Sequence, residues 1–153
     1  MKCPECELDW YFNMAAAVAA VIFDEEGKLI LTVRAHEPAK GMLDLPGGFV
    51  DMGESAEQAL KREVMEELQI DVEPLEYLGS FPNKYLYSGI LYETLDMVFI
   101  CKAANLEVVN PGDDVSGIVR VRPEELAPDD AGLTSIKEIL ISVKKRFSKK
   151  LNI

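Results

Sequence analysis

Apolar and polar positions along the chain change period several times, and each change predicts an element. Met14 to Phe23 is apolar without interruption and half Ala, too short a run to span a bilayer, so it predicts a buried strand. Asp24-Glu25-Glu26-Gly27 reads as a turn, and Ala15 to Phe23 and Lys28 to Arg34 are therefore expected to pair as a hairpin. Leu43-Asp44-Leu45-Pro46-Gly47-Gly48-Phe49-Val50 predicts a shaped loop, since Pro and paired Gly oppose regular helix. At Ser55 the period changes. Ala56, Ala59, Leu60, Val64 and Leu68 recur at helical spacing, and Ser55 with Gln58 three residues on fits a capping box. Val72 to Phe81, Leu91 to Cys101 and Gly117 to Arg122 have strand character and are separated by Asn, Pro, Gly or Asp clusters. Thr134 to Phe147 predicts a last helix, with Ile136, Ile139, Leu140, Val143 and Phe147 on one face and Lys144, Lys145 and Arg146 in its final turns. One helix in the middle and one at the end of such strands imply an α/β sandwich.

Composition narrows the class. The 153 residues allow one domain, and 48% hydrophobic content excludes a disordered chain. Against 16 Lys and Arg stand 27 Asp and Glu, a formal charge of −11. A field that attracts polyanions is absent, so no nucleic acid polymer is expected as a partner, and a phosphate-bearing ligand would need a cation to mediate its contact. The N-terminus shows neither a secretory signal nor a membrane anchor. Three cysteines do not make a disulfide framework, and together these features predict a cytoplasmic protein without a membrane partner.

The acids are not spread evenly. Asp51, Glu54, Glu57, Glu63, Glu66 and Glu67 crowd one stretch, and Glu63, Glu66 and Glu67 fall at i, i+3 and i+4, on one helix face. Such clusters are commonly solvated faces. Three neighbouring carboxylates are also the donor set that hard divalent cations such as Mg²⁺ or Mn²⁺ prefer. The spacing favours the second reading: Gly48, then Glu54, then Arg62-Glu63-Val64-Met65-Glu66-Glu67-Leu68-Gln69-Ile70 resembles the Nudix box, G-x5-E-x7-R-E-U-x-E-E-x-G-U. The one departure is Gln69 in place of Gly, which is expected to adopt a positive φ at a cost on the order of 1 kcal/mol and to affect the turn rather than the chemistry.

The resemblance implies a Nudix-type α/β/α sandwich with a mixed sheet, a catalytic loop-helix at 48–70 and a C-terminal helix, within a single domain spanning 14–150. It implies hydrolysis of the diphosphate linkage of a nucleotide by water, with Mg²⁺ or Mn²⁺ as cofactor. Carried over by position, the catalytic set is Arg62, Glu63, Glu66 and Glu67, with Glu63 the candidate for activating water. Metal ligands are Glu63, Glu66, Glu67 and the Gly48 carbonyl. Glu54 is expected to support the loop through Arg62. Relatives often add an acid from a later loop, for which Asp113 and Asp114 are candidates and Asp114 is preferred, although Pro111-Gly112-Asp113-Asp114 also reads as a plain turn.

Outside the box, Cys3-Pro4-Glu5-Cys6 followed by Asp9-Trp10-Tyr11-Phe12-Asn13 resembles the second half of the zinc ribbon that precedes the domain in NADH pyrophosphatases, so 1–13 is read as a vestigial tail. It offers two ligands where structural Zn²⁺ takes four, and zinc is not expected unless two chains share a site; a homodimer stays open. Ser80-Phe81-Pro82-Asn83-Lys84-Tyr85-Leu86-Tyr87-Ser88 is a degenerate echo of the NADH pyrophosphatase segment, expected to line the substrate entrance. Tyr85, Tyr87 and Tyr92 are candidates to stack on a base, with packing as the alternative role. The implied substrate is a nucleoside diphosphate derivative: a nucleoside triphosphate, NADH or ADP-ribose. The competing reading is a catalytically silent nucleotide-binding or regulatory module on the same fold, whose hallmark would be replaced glutamates.

Overall fold

The computed structural model describes residues 1–148; residues 149 and 150, where the domain is expected to end, lie outside the described residues. The strands are β1 (Ala15–Ile22), β2 (Leu29–Arg34), β3 (Leu43–Asp44), β4 (Gly47–Phe49), β5 (Val72–Tyr87), β6 (Ile90–Ala103) and β7 (Val115–Val121), and the helices α1 (Ala56–Leu68) and α2 (Thr134–Phe147). They form a four-stranded sheet in the order β4-β1-β6-β5 and a three-stranded sheet in the order β3-β2-β7. β1 and β6 run parallel, and the other pairs are antiparallel.

The all-apolar β1 is explained by its position between the helical layers. Val18, Ala20 and Ile22 join the cluster that includes Ala59, Leu60, Val64 and Leu68 of α1. Ala19 and Val21 join the cluster that includes Ile136, Ile139, Leu140 and Val143 of α2. Alternate residues of one strand thus serve opposite layers, the pattern of a strand covered on both faces. Leu60 and Leu68 are fully buried, and each contributes roughly 2 kcal/mol through apolar area removed from water.

Three expectations are corrected. β1 and β2 are not a hairpin: the turn forms, with the Asp24 carboxylate accepting from the Glu26 and Lys28 amides, but only Phe23 and Leu29 bridge. Both edges of β1 are occupied by β4 and β6, so β2 turns away into the second sheet. The stretch 43–50 is not all loop. Its two ends pair with different sheets, β3 against β2 and β4 against β1, and the chain crosses between them at Leu45 and Pro46. β5 does not stop at Phe81 but runs through Pro82 to Tyr87, pairing with β6 throughout. Pro82 is tolerated because β5 is an edge strand, and it sits opposite Leu95 in unbroken register, the register shifts of this strand lying earlier, after Pro74 and Tyr77. The C-terminal helix has the predicted bounds.

Candidate functional site

α1 begins as the sequence predicts. Ser55 Oγ accepts from the Gln58 amide at 3.2 Å, and Gln58 Oε1 accepts from the Ser55 amide at 2.8 Å. It ends at Gln69, whose φ of 57° and ψ of 34° place a non-glycine residue in the left-handed region required to turn the chain away.

Arg62 organises the loop before the helix. Its Nε donates to Glu54 Oε1 at 2.7 Å and its Nη2 to Glu54 Oε2 at 2.9 Å, a two-pronged pair, while Nη2 also donates to the Phe49 carbonyl at 3.0 Å. Glu54 Oε2 accepts from the Asp51 amide at 3.0 Å, so one guanidinium closes the loop as expected. Hydrogen bonding by Arg62 holds the Glu54 carboxyl down at about 2. A carboxyl depressed in the folded state stabilises above its ordinary value of 4.5, and that stabilisation is lost as pH falls through about 2. Urea titrations should therefore show a wild-type midpoint that drops between about pH 4.5 and pH 2, and Glu54→Gln should flatten that drop. Parallel curves for the two proteins would contradict the pairing.

Glu63, Glu66 and Glu67 all line one cleft of about 580 Å³ together with Gly48, Asp114, Tyr85 and Tyr87. They reach the same cleft by different routes. Glu63 Oε1 accepts from Arg62 Nη1 at 2.7 Å, Glu66 Oε2 lies 3.4 Å from the same nitrogen, and Glu67 Oε2 turns inward to accept from the Gly47 amide at 3.0 Å. Among the described residues no three His, Cys, Asp or Glu side chains already stand in a metal-holding arrangement: Glu63 and Glu66 turn to one Arg62 nitrogen and Glu67 to the Gly47 amide. Burial, followed by the nearby charges of Asp44, Glu63 and Asp114, pushes Glu67 up to about 8, against the pull of the Gly47 amide. Burial also raises Glu63, although Arg62 opposes it. Asp114 is 80% exposed at its side chain and has His36 Nε2 3.6 Å from its Oδ1; Asp113 is not among the residues that line the cleft.

Tyr85 and Tyr87 stack at 6.2 Å between centroids, with Phe49 edge-on to Tyr85 at 5.8 Å. Arg34 bridges this wall to the cleft interior, donating to the Tyr85 hydroxyl at 3.1 Å and pairing with Asp44 at 2.5 Å. Tyr92 packs on Phe49 at 6.0 Å and is not among the lining residues. Sequence reasoning passed over Phe49, Arg34, Asp44, Thr94 and Asp96, all of which line the cleft, and placed Asn83 only within the segment expected to line its entrance. A signal existed for two of them: Thr94 and Asp96 are polar at alternate positions before the apolar run Met97 to Cys101 of the strand, which puts both on one face.

In the tail, Cys3 and Cys6 occupy a short turn with free thiols, and backbone N–H groups of Cys6 and Glu5 lower the Cys3 thiol. Cys101 is buried in the sheet, which pushes its thiol up to about 12. Among the described residues no helix is long and apolar enough to cross a membrane.

The sandwich with its loop-helix of acids defines a class, and the comparisons agree with it. A model of the NUDIX domain matches residues 14–140, and the chain belongs to that family. It is 30% identical over 143 residues to the NAD-capped RNA hydrolase NudC of Pseudomonas fluorescens, covering 94% of this chain and 49% of that one. It is 36% identical over 88 residues to the mitochondrial NAD(P)H pyrophosphatase NUDT13 of Mus musculus, covering 55% and 24%. The chain thus spans half or less of these curated relatives. The crystal structure of a NUDIX hydrolase from Nitrosomonas europaea superposes with a TM-score of 0.76 at 25% identity, over 97% of this chain and 78% of that one.

Proposed function

We propose that this domain is a divalent-metal-dependent pyrophosphohydrolase that cleaves the diphosphate of a nucleotide of the NADH or ADP-ribose type, with nucleoside triphosphates as further candidates. The observation that carries it is the cleft: carboxylates of α1 and the stacked Tyr85 and Tyr87 line the same cavity, within a volume typical of small-ligand sites. The names of the two curated relatives support a substrate containing NAD.

The residues fit a divalent ion. A Cβ on Gly48 would lie 2.5 Å from the Glu63 carboxyl carbon, so glycine leaves the space in which that carboxylate meets the loop. The metal would be held by Glu63, Glu66, Glu67, the Gly48 carbonyl and Asp114, and when bound it would neutralise diphosphate charge and acidify water. The remaining roles belong to the chain. Glu63 Oε2 is free of the Arg62 contact and takes the proton of the attacking water, while Arg62 fixes Oε1 of the same carboxylate. Gly47 orients Glu67 through its amide. The aromatic wall excludes water from the far half of the substrate and positions it.

The test is a panel of NADH, ADP-ribose, nucleoside triphosphates and dinucleoside polyphosphates, incubated with Mg²⁺ or Mn²⁺ and separated by chromatography. NADH, ADP-ribose or both should be cleaved at the diphosphate, and EDTA should abolish the reaction. NAD-capped RNA belongs in the panel because of the NudC relative; the −11 charge predicts that it is a poorer substrate than the free dinucleotide. No turnover, with nucleotide binding intact, would establish the silent-module reading instead.

A further inference from the structure

The far wall of the cleft is the β5–β6 ladder, and its character changes along its length. Phe81, Asn83, Tyr85 and Tyr87 occupy alternate positions of β5 and share a face, opposite Asp96, Thr94, Tyr92 and Ile90 of β6. The outer part is aromatic and half exposed. The inner part is polar and buried: Asn83 is 5% exposed, and Thr94 and Asp96 are buried beside it. Asp96 has partners for both oxygens, with Thr94 Oγ1 donating to Oδ1 at 3.0 Å and Ser135 Oγ to Oδ2 at 2.5 Å. Asn83 is different. Its Oδ1 is buried without a hydrogen-bond partner, although its side chain faces the cleft. An unpartnered buried carbonyl opposes folding, and a group of this kind inside a binding cleft is accounted for by a ligand that completes its bonding.

We propose that Asn83 is the specificity residue for an NH₂ group carried by a planar heteroaromatic part of the substrate, on the ring itself or on a carboxamide attached to it. Oδ1 accepts from that amino group and Nδ2 donates to the acceptor next to it, with the ring lying along the Tyr85 side of the wall. The proposal rests on the function above and deepens it. A carboxamide matches an edge that offers one donor beside one acceptor through two parallel hydrogen bonds, the geometry by which Asn reads adenine. Two parts of a pyridine dinucleotide present such an edge, the adenine ring and the nicotinamide carboxamide. Asp96 cannot substitute for Asn83, since both of its oxygens are already engaged. Thr94 is likewise committed to Asp96, which leaves Asn83 as the reading group on this wall.

The test deletes the NH₂ from each source in turn. ADP-ribose is compared with its analogue carrying hydrogen in place of the adenine amino group, and NADH with its 3-acetylpyridine analogue, in which methyl replaces the carboxamide NH₂. Wild-type kcat/KM should fall about tenfold on one of the two substitutions, and that pair identifies which ring Asn83 reads. In Asn83→Leu the ratio should shrink to about one, because activity on the amino substrate falls to that on the analogue. The same variant should melt no lower than wild type, since it removes an unsatisfied buried polar atom. Asn83→Asp, close in volume, keeps the acceptor for the NH₂ and loses the donor to its neighbour, so activity on both members of the pair should fall while the ratio persists. No discrimination by wild type on either pair, a ratio that survives in Asn83→Leu, or a Tm lowered by several degrees in Asn83→Leu would overturn the assignment. Failure of wild type to cleave either NADH or ADP-ribose would instead overturn the proposed function. Calorimetric binding of the same pairs then tests Asn83 in place of turnover.

Discussion

Glu67→Gln should lower metal-dependent hydrolysis on the order of 10²–10³-fold while the protein stays folded. Glu67 is the most deeply placed of the three box glutamates, turned inward to the Gly47 amide at 3.0 Å. Burial pushes its carboxyl up to about 8, so at neutral pH the metal-free side chain is mostly protonated. Gln has the size of that protonated acid and can still accept from Gly47. What it lacks is the charge a cation needs. The sign of the accompanying pH effect follows from the raised value. Stability associated with neutral Glu67 is complete below the ordinary value of 4.5 and is lost as pH rises through about 8. Metal-free wild type should therefore show a falling Tm across that window and Glu67→Gln a flatter one, while stimulation of wild-type hydrolysis by Mg²⁺ should grow with pH over the same range. An unaltered rate in the variant would remove Glu67 from the metal site.

The parts of this protein that were legible in its sequence are those whose signal is local. The α1 boundaries follow from Ser55, Gln58 and the apolar period, the left-handed turn from Gln69 standing where the motif has glycine, and the loop closure from the spacing of Glu54 and Arg62. The errors arose where the outcome depends on partners distant in sequence. A Gly-containing turn between two apolar strands looks like a hairpin, and nothing local to residues 15–34 reveals that β4 and β6 occupy both edges of β1. Pro82-Asn83 looks like a strand end because Pro is excluded from central strands, and the edge position that tolerates it is a property of the assembled sheet. The site divides in the same way. Most of its acids lie within one helix and could be found by spacing, whereas the wall proposed to recognise the substrate draws Phe49, Asn83 and Asp96 from one sheet through β-pairing and Arg34 from the other sheet.

The adjacent residues Gly47 and Gly48 should fail in different ways when a methyl group is added. At Gly47 a Cβ would stand 2.0 Å from the Val18 carbonyl oxygen and 2.9 Å from Ala19 Cα. Both atoms belong to the backbone of β1, which is hydrogen-bonded on its other edge to β6 and packed on both faces, so they cannot yield cheaply. Gly47→Ala must separate β4 from β1, and a destabilisation of about 3 kcal/mol or more is expected, a Tm loss of roughly 6–12 °C for a domain of this size. At Gly48 the atoms met are the Glu63 carboxyl carbon and its two oxygens, at 2.5 to 2.7 Å. These are the far end of a flexible side chain, and they can move. Gly48→Ala should therefore keep a Tm within a few degrees of wild type while displacing Glu63 from its 2.7 Å contact with Arg62, lowering kcat by roughly 10–100-fold, since a misplacement of about 1 Å at a reacting group is worth that much. Thermal unfolding and steady-state kinetics on the two variants separate the effects. Equal Tm values would show that β4 is not clamped against β1 through Gly47, and a wild-type kcat in Gly48→Ala would show that the Glu63 position seen here is not the one used in catalysis.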